Sequence, residues 1–305
     1  EVANELKAHP EIYRRYQLWF FDYNTGTPFV GSAADLREQL QLALKTFDPE
    51  GSDAALSDMI LVGHSMGGLV AKLQVTYSDD RLWNAISNRP IDQVKTSSEL
   101  RELLSESFFF EPLPFVSRVV YMATPHGGSA YARRCVGRLG ASLVREPGEL
   151  VEKHRELIVR NPDVFSKEFS KRIPTSIDLL DSRSSMLQTI AGLPVSPCVS
   201  FHSVIGTYCC SLFHGRSDGI VSVSSARQAR AQSELLVRAT HTNVNTHPQS
   251  VQELIRILNV HAAESGGDLE PIDPEPELEW MDEPLELPNV TAETASNSEV
   301  VHANY

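Results

Sequence analysis

No stretch of the 305 residues is apolar for the roughly 20 consecutive positions that a membrane-spanning helix needs, so no transmembrane segment is expected. Basic residues are also scarce. Against 40 Asp and Glu stand 27 Lys and Arg, a net charge of -13, whereas binding nucleic acid needs a basic surface that displaces counterions. The imbalance sits mostly at one end, because twelve acidic residues and no Lys or Arg fall after Ala263, and the chain before it is close to neutral. Cysteine is rare as well. Cys135, Cys198, Cys209 and Cys210 lack metal-ligand spacing, as do the histidines, so neither metal nor other cofactor is expected. A Cys135–Cys198 disulfide and unpaired small apolar thiols both remain open readings.

What is present alternates between strand and helix signals. Leu18 to Phe21 and Met59 to Val62 are short apolar runs suited to buried strands, and between them Leu36, Leu40, Leu42, Ala43 and Leu44 mark an amphipathic helix beginning after Ser32. Leu69, Val70, Leu73 and Val75 carry a helix away from the second run. Val116 to Met122, Cys198 to Gly206 and Glu234 to Ala239 read as further strands, and Ser250 to Val260 as a closing helix. Such alternation predicts an α/β fold with a mostly parallel sheet and flanking helices. From about 131 to 197 the helical segments have no convincing strand among them, which predicts a helical insertion within a domain spanning 1–262. Residues 263–305 bury too little apolar surface to offset the entropy of ordering, and are expected to form an acidic, disordered tail. Trp280, Met281, Leu285 and Leu287 interrupt it; they are read as a short contact with the parent domain, with weak docking of a partner as the alternative. Asn289-Val290-Thr291 matches a glycosylation acceptor.

The chemistry concentrates where the second apolar run ends, at Gly63-His64-Ser65-Met66-Gly67. A serine nucleophile on so sharp a strand-to-helix turn leaves no room for Cβ atoms beside it, a demand that Gly63 and Gly67 are expected to meet, with Gly68 adding slack. The same turn aims the Met66 N–H and the positive end of the new helix at an oxyanion forming on an acyl carbon. A serine hydroxyl needs a base within reach, and the base needs a carboxylate to orient it. Asp218, in a loop before Gly219, is the preferred acid over Asp178 and Asp181, which fall in the insertion. His241, first after the last strand, is preferred as base over His247, which precedes Pro248 and suits a helix start. His64 and His126 are possible pocket residues, while His202 lies inside a strand and reads as a core residue.

With Ser65, Asp218 and His241 in that order, and with the Gly-His-Ser-Met-Gly-Gly and Thr124-Pro125-His126-Gly127 elements, the sequence resembles serine α/β-hydrolases. Within them it is similar to a lipase- and esterase-like group that includes GPI-inositol deacylases, over about Leu18 to Val260. The resemblance implies an α/β-hydrolase fold with a helical lid, and cleavage of a small-molecule or lipid carboxylic ester. Deacylation of a lipid-linked headgroup and acyl transfer to an alcohol are the related readings, and a non-catalytic hydrolase-like interaction domain is the rival from another class. Such families build half the oxyanion hole from a His-Gly element after an early strand. No such element precedes Ser65, and Glu1 leads straight into helix-like residues, so the first strands are expected to be missing. A signal peptide stays open, and with it the cellular location.

Overall fold

Residues 2–24, 28–129, 148–211, 215–265 and 302–303 are described in the computed structural model. In chain order the elements begin with helices α1 (Val2–Lys7) and α2 (Pro10–Tyr13), strand β1 (Trp19–Phe20), helix α3 (Phe29–Phe47), strand β2 (Met59–His64) and helices α4 (Met66–Lys72), α5 (Arg81–Asn84) and α6 (Ser98–Phe108). Strand β3 (Val116–Met122) follows, then α7 (Gly148–Arg160), α8 (Lys167–Lys171), α9 (Ser176–Leu179) and α10 (Ser185–Ala191). The chain continues with β4 (Ser200–Gly206), the hairpin β5 (Cys209–Ser211) and β6 (Gly215–Ser217), α11 (Val223–Ala226), β7 (Ser233–Val237) and α12 (Pro248–Glu264).

Strands β2, β3, β4 and β7 form one sheet in that order, and every neighbouring pair is parallel. Parallel strands need crossovers, and the crossover helices cover both faces. Alternation along β3 shows how the core is divided: Val119 and Tyr121 join α3, α4 and the insertion helices on one face, while Val120 and Met122 join Leu6, Ile12, Leu254, Ile257 and Leu258 on the other. Polar side chains start the shorter helices. Ser97, Ser166, Thr175, Ser184 and Ser222 each accept a backbone N–H from the first turn of the helix they precede.

Three expectations shift. Among the described residues strand β2 is at the edge of the sheet, its apolar residues are only partly covered and Val62 is 46% exposed. Leu18 to Phe21 contributes only the two-residue β1, outside the main sheet and paired with His302–Ala303, with Phe20 also 46% exposed. Helix α3 begins at Phe29, ahead of Ser32, because Phe29 and Val30 are themselves buried against the core. From 148 to 197 the insertion is helical with no strand among the described residues. Cys135, the first part of the insertion, and the acidic tail with Trp280 and Asn289 lie outside the described residues, while Cys198 and Cys209 are free thiols.

Candidate active site

Strand β2 delivers Ser65 at its carboxyl end, and α4 leaves immediately after it. Ser65 sits at φ 54°, ψ -125°, a left-handed conformation that costs a non-glycine residue on the order of 1–3 kcal/mol and persists only where its surroundings enforce it. Its N–H is held by the Met122 carbonyl at 2.8 Å, continuing the sheet pairing. Although Ser65 occupies the N-cap position of α4, its hydroxyl caps nothing. That hydroxyl points elsewhere.

Ser65 Oγ lies 2.8 Å from His241 Nε2, and His241 Nδ1 lies 2.8 Å from Asp218 Oδ2. Asp218 Oδ1 accepts the backbone N–H groups of Ile220 at 2.8 Å and Val221 at 2.7 Å, so the loop that carries the carboxylate also aims it. The His241 backbone N–H donates to the Asp218 carbonyl at 3.0 Å, a second tie between the same two residues. His241 and Asp218 are buried and Ser65 is half-buried. The geometry lets a serine lose its proton to an imidazole whose other nitrogen faces a carboxylate.

Glycine makes these approaches possible, though not entirely at the expected positions. A Cβ on Gly63 would sit 2.5 Å from the Gly67 carbonyl oxygen and the Gly68 Cα, and one on Gly68 would sit 1.9 Å from Thr124 Oγ1. At Gly67 the added carbon would meet only the Tyr23 hydroxyl, at 3.5 Å, an ordinary contact. The turn packs its third residue after Ser65, rather than its second, against the loop following β3. Gly206, at the end of β4, went unnoticed in the sequence: a Cβ there would lie 2.5 Å from Asp218 Cβ and 2.7 Å from Val244 Cγ2, where the loops carrying Asp218 and His241 meet. Its signal was a glycine closing an apolar strand on the same sheet edge.

Tyr23 is the second unforeseen residue. Its ring stacks on Phe21 with centroids 5.5 Å apart, and its hydroxyl borders the first turn of α4 at Gly67. Burial, and then the neighbouring Asp22, push its hydroxyl up to about 12, so it keeps its proton at neutral pH.

The remaining candidates are placed as follows. His64 turns its Nε2 onto the backbone carbonyl of His241 at 2.8 Å. His126 is buried edge-on to Tyr121 at 4.7 Å between centroids, with neither ring nitrogen hydrogen-bonded; burial, reinforced by Lys72, holds it well below the usual imidazole range. His247 caps α12 by accepting the Gln249 N–H. Asp178 completes a capping box with Thr175 and Asp181 pairs with Arg183, so both have local work to do. No cluster of metal-ligating residues occurs among the described residues. An apolar cavity of about 220 Å³ opens between the start of α3 and the insertion helices, walled by Val30, Leu104, Leu157, Phe169, Ile173 and Met186. Its walls include none of Ser65, Asp218 and His241.

Residues 3–94 match the family model described as PGAP1-like alpha/beta domain, a span that contains Ser65 and ends before Asp218 and His241. No curated protein matches the sequence. Among solved structures, the mature Bacillus licheniformis lipase BlEst2 is 16% identical over 76% of this chain and 75% of its own, with a TM-score of 0.40. The Staphylococcus hyicus lipase is 13% identical over 68% of this chain and 71% of its own, with a TM-score of 0.39. EstA from Clostridium botulinum is 14% identical over 66% and 64%, with a TM-score of 0.39.

Proposed function

We propose that this α/β-hydrolase-type chain is a serine hydrolase that cleaves carboxylic esters, with Ser65 as nucleophile, His241 as general base and Asp218 orienting the base. The observation that carries the reading is the continuous line of hydrogen bonds from Ser65 through His241 to Asp218, set at a strained residue where a strand becomes a helix. Ser65 passes its proton to His241 Nε2 as its oxygen attacks the acyl carbon, and Asp218 steadies the imidazolium that forms. His241 returns the proton to the departing alcohol, leaving an acyl-serine. Water then gives a proton to His241, attacks the acyl carbon and releases the acid, restoring Ser65. The Met66 N–H, at the positive end of α4, is one donor to the oxyanion, and the Tyr23 hydroxyl is the second donor of this reading.

A fluorophosphonate probe tests the nucleophile. Stoichiometric labelling that disappears in Ser65→Ala is the expected result, and labelling retained in that variant removes Ser65 from the role. A series of p-nitrophenyl esters of increasing acyl length then tests the substrate class; no turnover of any member by unlabelled protein, from a preparation shown to react with the probe, refutes ester hydrolysis.

A further inference from the structure

His64 is joined to Ser65 by a peptide bond and, at the same time, holds the backbone of His241 through a 2.8 Å hydrogen bond from its ring Nε2–H to the His241 carbonyl. The two imidazoles lie 5.2 Å apart, tilted by 39°. We infer that His64 is a positioning residue: it fixes the distance between nucleophile and base by clamping the base's main chain to the residue next to the nucleophile. The inference rests on the assignment of Ser65 and His241 above.

His241 needs such a clamp because it stands on a turn segment, 241–246, between β7 and α12, with no ladder of hydrogen bonds to hold it. Its main chain has two polar groups near the site. The N–H is taken by the Asp218 carbonyl and the C=O by His64, so the backbone is tied to Asp218 and to the residue next to Ser65. The ring is held in parallel by Asp218 Oδ2 and Ser65 Oγ. Of these four ties, the one to His64 is the one that spans from the base's main chain to the strand carrying the nucleophile. A carbonyl can only accept, so His64 must bear its proton on Nε2. Burial, and then the adjacent His241, hold His64 below the ordinary imidazole range, which favours the neutral ring that donates from Nε2.

The role predicts a particular pattern across two substitutions. His64→Leu removes the donor, and His64→Gln places a side-chain N–H at nearly the same reach. With a short p-nitrophenyl ester, His64→Leu should lower kcat by about 10- to 100-fold with KM little changed, the size expected when a catalytic group drifts by about 1 Å. His64→Gln should recover most of that loss, and both variants should melt near the parent temperature. A second readout needs no ester: in protein carrying 15N-histidine, the Nδ1–H resonance of His241 paired with Asp218 should be sharp in the parent, exchange-broadened in His64→Leu and sharp again in His64→Gln. An unchanged kcat and an unchanged His241 resonance in His64→Leu overturn the inference, as does a Gln variant no better than Leu. If the parent turns over no ester yet the resonance follows the predicted pattern, positioning by His64 stands and ester hydrolysis falls.

Discussion

Among the described residues two hydroxyl–imidazole–carboxylate lines stand out, one at each end of the sheet. At the carboxyl ends of the strands lies Ser65–His241–Asp218. Near the amino ends, Tyr16 Oη sits 2.9 Å from His261 Nδ1, and His261 Nε2 sits 3.0 Å from Asp58 Oδ1. The distances are alike, yet the second line has no means of attack. The Tyr16 proton goes to the Leu258 carbonyl at 2.7 Å, and burial, with Asp58 nearby, pushes the hydroxyl up to about 12. Burial raises the Asp58 carboxyl, but hydrogen bonds from Ser117, Ser265 and His261 outweigh it and hold it below its usual range. The whole set ties the end of α12 to the start of β2. At the other end the serine sits on a strained turn, its hydroxyl caps no helix, and the first turn of α4 starts beside it. Three groups in a row therefore make a latch or a site depending on what else claims the hydroxyl.

The largest separation between the two lines should come from Ser65→Ala, which is expected to cost about 10⁴- to 10⁶-fold in kcat for a short ester, with no loss of thermal stability. Asp218→Asn should cost about 10⁴-fold by offering the base the wrong partner, read in the same assay. Tyr23→Phe should lower kcat by about 10- to 100-fold if its hydroxyl meets the oxyanion; a change below twofold removes it from that role. Tyr16→Phe tests the opposite line: kcat should stay within about twofold while stability drops by about 1 kcal/mol in a denaturant melt, the usual worth of a lost hydrogen bond.

The smallest effect concerns pH and another amino-end histidine. Burial, then Arg118 at 2.7 Å, hold His202 down at about 4 in the folded protein, against 6.5 for an ordinary imidazole. The unfolded chain then binds the extra proton first, so His202 contributes no pH dependence above about 6.5 and costs stability as pH falls from there towards 4. Melting temperatures at pH 7 and pH 5 should differ less in His202→Gln than in the parent. An equal difference in both proteins would assign the acid sensitivity to other groups.

Much of the carboxyl-end site was legible in the sequence because it depends on local rules. An apolar run ending in Gly-His-Ser-Met-Gly-Gly and opening a helix is a statement about a few consecutive residues. The preference for Asp218 over Asp178 rested on a loop after a strand against a place in the helical insertion, and that for His241 over His247 on a loop after a strand against a helix start; in the structure Asp178 and His247 each cap a helix. Less was legible at the sheet edge, where the apolar run of β2 looks the same whether one neighbour or two will cover it. Gly67 and Gly68 were likewise indistinguishable, since which one is crowded depends on Thr124, more than fifty residues away.

By itself, then, the sequence determined the alternation of strands and helices, the strained serine turn and the chain order of the three polar residues, all set by periodicity and local backbone sterics. Only the tertiary structure decided that Asp218 and His241 converge on Ser65, that Gly206 makes room for both loops, that His64 bonds the His241 carbonyl, and that Tyr16, His261 and Asp58 form a latch. Those are contacts between segments far apart in the chain, and they exist only once parallel strands bring loop ends to a common edge.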